Sequence, residues 1–111
     1  MHVIRIVTHV AAEGDGQALG HRLVNERVAA CAHVGRPVSS VYQWRGEVKT
    51  EDEWELDVIT SETRLAECVD TIRSVHSYEL PAIMWSVLEC SGEYGAWIVA
   101  ETNGDAITEA R

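Results

Sequence analysis

The 111-residue sequence predicts an α+β fold in the order β-α-β-β-α-β, closed by a short C-terminal helix. Three observations point there. From Ser40 to Thr60, aromatic and β-branched residues recur on alternate positions, the period of a pleated strand, and Arg45-Gly46-Glu47 supplies the reversal of a long central hairpin. Two other segments carry apolar residues at helical spacing, Leu19/Leu23 with Val24/Val28, and Leu65, Cys68, Val69, Ile72 and Val75. Strand-like runs flank both of these segments.

Taken in order, residues 3–8 form a first strand, apolar enough to be central. Residues 11–17 are polar and glycine-rich, with Asp15 as N-cap of the helix that follows. That helix turns Leu19, Leu23, Val24 and Val28 inward, with Arg22 and Glu26 towards water. The second strand covers 29–44 and bends at Gly35-Arg36-Pro37, because proline cannot donate to a ladder. The third strand, 48–59, is strongly acidic in its first half. Thr60 or Ser61 caps the second helix, and a loop over 76–81 leads to a fourth strand at 82–90. Gly92 to Glu101 suits a closing helix with Tyr94, Trp97 and Ile98 inward. Residues 1–102 are then one domain and 103–111 a polar, flexible tail. Two helices on one face of an antiparallel sheet make the ferredoxin-like split β-α-β arrangement. Such short helices leave the other face and the hairpin bare, and bare strand edges pair with another chain. The expectation is an oligomer.

Nine basic against eighteen acidic residues give a net charge of −9 and a pI near 4.9. A field of that sign repels phosphate backbones and anionic lipid, so nucleic acid is not an expected partner. No segment approaches the roughly 20 apolar residues of a membrane helix, so no direct membrane insertion is expected. The chain is large enough to bury about two thirds of its unfolded surface, with no cofactor required for folding. Cys31, Cys68 and Cys90 are widely spaced and match no zinc-site pattern, which fits free thiols in a reducing cytoplasm. There is no glycine-rich phosphate loop, GxSxG elbow or HExxH, so an enzyme is not expected.

Cys31 and His33 stand at i and i+2 on a strand and so share one face; thiolate and imidazole suit copper or zinc if a third ligand comes from a neighbouring strand or subunit. Glu51, Asp52, Glu53, Glu55 and Asp57 lack the loop spacing of a calcium site and read as a solvated strand face. Tyr42, Trp44, Trp54, Trp85 and Trp97 read as core and interface aromatics. His2, His9 and His21 show no ligand spacing.

Three blocks, residues 23–31 (LVNERVAAC), 40–47 (SVYQWRGE) and 76–83 (HSYELPAI), together resemble the CutA divalent-cation-tolerance proteins. The resemblance spans about residues 3–102. It implies a homotrimeric ferredoxin-like protein, related in fold to the PII signalling proteins and associated with copper and other divalent cations. It also implies that Tyr42, Trp44, His76, Tyr78 and Glu79 lie near an intersubunit cleft. Two positions depart from the family's pattern: Ser77 replaces a proline, and Ile59 stands where a lysine is common. The expected function is copper and divalent-cation tolerance and binding, as a homotrimer. The alternatives are a PII-like sensor with a small molecule between subunits and a trimer that scaffolds a partner protein.

Overall fold

The computed structural model describes residues 1–103, in which strand β1 (His2–Val10), helix α1 (Glu13–Asn25), strands β2 (Cys31–Trp44) and β3 (Glu47–Thr60), helix α2 (Leu65–Val75), strand β4 (Ile83–Glu89) and helix α3 (Gly92–Glu101) follow one another. The tail expected beyond residue 103 lies outside the described residues. The strands form a single sheet in the order β2-β3-β1-β4, with every neighbouring pair antiparallel. β1 and β2 therefore run parallel on either side of β3, and β3 and β4 on either side of β1.

Strand alternation divides the core in two. Ile4, Ile6 and Val10 of β1 and Leu56 and Val58 of β3 face α1 (Leu19, Leu23) and α2 (Cys68, Val69, Ile72). On the opposite face, Val3, Ala30 and Ile59 pack under Ile98 of α3, with Tyr94 and Trp97 at the margin. Among the described residues, the rest of that second face carries no helix.

Several ends differ from the sequence expectation. α1 starts at Glu13 behind Ala12, which makes no side-chain cap bond; Asp15 sits inside the first turn, where its charge meets the positive end of the helix dipole. α1 stops at Asn25 because Arg27 turns left-handed (φ 60°); Val28 reaches the core from that turn, and Val24 is 38% exposed. Ser61 precedes a 3-10 turn (Glu62–Arg64) without capping it, because its hydroxyl accepts instead from Thr102 Oγ1 at 2.8 Å. Thr60 donates to the Val28 carbonyl at 2.6 Å. Ser91 does cap α3, accepting from the Tyr94 backbone N–H.

The bulge expected near Pro37 is present: the register slips between Val34 and Pro37, and a Cβ on Gly35 would stand 3.3 Å from the Glu55 carbonyl oxygen. The hairpin turns through two residues, Arg45 (φ 51°) and Gly46 (φ 84°). Two positive φ values give the twist that long ribbons favour. β1 ends at Val10 opposite Trp54, so among the described residues the ladder from Val38/Glu53 to Trp44/Glu47 has no third strand. That arm makes the molecule 48 × 25 × 23 Å, with a radius of gyration of 14.8 Å; a compact domain of this length has about 13 Å.

Candidate functional site: an aromatic and acidic cleft

The antiparallel register sets Ser40 opposite Glu51, Val38 opposite Glu53 and His9 opposite Glu55, all on the sheet face opposite α1 and α2. Tyr42 and Trp44 follow Ser40 at strand period. The loop after α2 folds Tyr78, Glu79, Leu80 and Ala82 against them and encloses a cleft of about 480 Å³. The floor is charged. Glu53 is only 8% exposed, with His9 Nδ1 at 3.9 Å, while His9 Nε2 lies 3.7 Å from Glu55.

Burial pushes the Tyr78 phenol well above its ordinary range, and its hydrogen bond to Glu53 and the negative charge of Glu53, Glu51 and Asp15 push the same way. Tyr78 is therefore a hydrogen-bond donor at any physiological pH. Tyr42 O–H donates to Glu51. At the mouth, Arg45 Nη2 donates to both oxygens of Glu79, at 2.8 and 2.9 Å, and its guanidinium carbon stands 5.2 Å from the Trp44 ring centroid.

Of the five residues expected in a cleft, Tyr42, Trp44, Tyr78 and Glu79 come together. His76 stands behind them, beside a smaller hollow of about 270 Å³ with Asp15, Arg22 and Ser77. Its Nδ1 accepts from the Tyr78 backbone N–H at 3.1 Å, so Nε2 carries the proton and donates to the His9 carbonyl at 2.8 Å. Thus His76 ties the loop to β1 and sets Tyr78, its ring 4.8 Å away.

The acidic run is not one solvated face. Glu53 is buried in the cleft, and Asp57 pairs with Arg5 at 2.6 and 2.9 Å. His9, Glu51 and Glu53 were absent from the expected cleft, although the odd-numbered parity of the acidic run puts Glu51 and Glu53 on one face. His9 gave no local signal, because it arrives from a different strand.

Cys31 and His33 do share a face, opposite Ile59 and Asp57. Cys31 Sγ lies 3.4 Å from Tyr94 Oη at the edge of the α3 cluster, and His33 is exposed. Among the described residues, no group of three or more His, Cys, Asp or Glu converges to hold a metal ion. Ile59 is buried with Val3, Ala30 and Ile98, away from the cleft lining.

The family described as CutA1 divalent ion tolerance protein matches residues 4–101. The chain is 29% identical over 103 residues to the divalent-cation tolerance protein CutA of Thermus thermophilus, covering 92% of this chain and 99% of that one. It is 28% identical over 93 residues to the human protein CutA, covering 81% of this chain and 52% of the human protein, so it spans about half the length of that relative. Among solved structures, CutA from Xylella fastidiosa superposes with a TM-score of 0.87 at 25% identity, covering 91% of this chain and 98% of the other.

Proposed function

Because the chain belongs to the CutA1 divalent ion tolerance family, we propose that it serves divalent-cation tolerance as a homotrimer, binding copper or a similar cation and turning over no substrate of its own. The strand order β2-β3-β1-β4 with its two β-α-β crossovers fits the ferredoxin-like class. The observation that carries the trimer is the unsupported arm. Seven residue pairs of hairpin, Val38/Glu53 to Trp44/Glu47, extend past β1, and a lone two-stranded ribbon is marginal in water. At the other edge of the sheet, β4 exposes Met84, Trp85, Val87 and Leu88. An arm and an apolar edge on one chain form a head-to-tail pair that closes into a ring. Such an interface buries upwards of about 2,000 Å².

In this reading Cys31 and His33 supply two metal ligands and another copy of the chain completes the set. Three free thiols support a reducing, cytoplasmic setting. The test is metal affinity in a competing chelator. Cys31→Ser and His33→Ala each lower copper affinity by about tenfold or more while the oligomer persists, and zinc must be compared, since copper outranks other divalent ions at nearly any site. Unchanged affinity in both variants removes this site.

The cleft favours a second reading, a PII-like sensor that takes a small molecule. Its volume of about 480 Å³ falls in the usual range for ligand sites, and the buried Glu53 carboxylate lies on its floor. A rise in melting temperature with a metabolite, in metal-free buffer, distinguishes this reading from the first.

A further inference from the structure

We propose that the cleft binds a small organic cation, an alkylammonium or guanidinium compound, between the aromatic side chains of Tyr42, Trp44 and Tyr78 and the carboxylates of Glu51 and Glu53. This rests on the reading of the cleft as a ligand site and names what enters it.

Four observations lead there. The described lining holds three aromatic rings and three carboxylates, and neither lysine nor arginine is among them. An anion would therefore face three carboxylates, with Arg45 at the mouth already held by Glu79, while a cation gains both ring faces and counter-charge. Glu53, 8% exposed on the floor, accepts a hydrogen bond from Tyr78, and its ion-pair partner among the described residues is His9 at the long distance of 3.9 Å. The protein itself already sets a cation against this chemistry: Arg45 lies 5.2 Å from the Trp44 ring centroid and bonds both Glu79 oxygens at the mouth. Finally, no group of three or more His, Cys, Asp or Glu among the described residues could hold a bare metal ion, and walls of aromatic carbon suit an alkyl or planar cation instead.

Titration calorimetry on the full chain tests this with choline and agmatine as cationic probes, glutarate as an anionic probe and glucose as a neutral one. A cationic probe binds, its affinity falls about tenfold in Trp44→Leu and in Glu51→Gln, and it weakens as salt rises. Glu51 is exposed, so its variant retains the fold where a change at buried Glu53 risks losing it. If glutarate or glucose binds in a Trp44-dependent way and neither cation does, the cation assignment is overturned and the cleft reading stands. If no probe of any charge binds, both are overturned. Cation binding unchanged in both variants places the ligand elsewhere and also overturns the proposal.

Discussion

Cys68 shows how little of a residue's chemistry its type decides. On α2 it has no exposed surface, and burial pushes its thiol from 9.0 up to about 12. The folded chain therefore keeps a proton that the unfolded chain releases above pH 9. Stability from this source is intact below pH 9 and falls as pH climbs towards 12, by up to about 1.4 kcal/mol per pH unit. Tyr78, also raised, adds the same sign from pH 10 upwards. Urea midpoints at pH 8 and pH 10.5 should drop in the wild type and drop less in Cys68→Ala; equal slopes would mean that the thiol titrates freely. The apolar stripe that buries Cys68 was legible at helical spacing. The burial of Glu53 was not, because the same carboxylate on an open strand would be solvated, and residues distant in sequence, the loop carrying Tyr78 and Leu80 among them, line the cleft around it.

Among the elements, the β2–β3 hairpin was the most legible and α1 the least. Period-two alternation and an Arg-Gly reversal specify a ribbon locally, and the register places Trp44 opposite Glu47 across a two-residue turn. Helix ends depend on what else reaches them. Asp15 and Ser61 both have capping side chains, yet α1 starts before Asp15, and Thr102, 41 residues further on, engages Ser61. The turn carries its own test. Gly46 has φ 84°, a region that costs a residue with a Cβ about 1–2 kcal/mol, and nothing stands within 4 Å of where that Cβ would go. Gly46→Val should lower stability by that amount through backbone strain alone. A urea midpoint unchanged from wild type would show that the arm does not depend on this turn.

At the scale of the whole molecule, a single chain leaves two surfaces bare: a ribbon without a third strand, and an edge strand whose Trp85 is 50% exposed. The sequence pointed to that excess through the ratio of ribbon to helix. It could not show that the fourth strand lies at the margin of the sheet, which follows only from the strand order. The metal-binding reading uses a second copy as the source of the missing ligand. Sedimentation equilibrium at micromolar protein, run on the wild type and on Trp85→Glu, tests this most directly. The wild type should weigh three times the 12.3 kDa of one chain, and Trp85→Glu should shift it towards smaller species; a folded wild-type protein at 12.3 kDa would contradict the account.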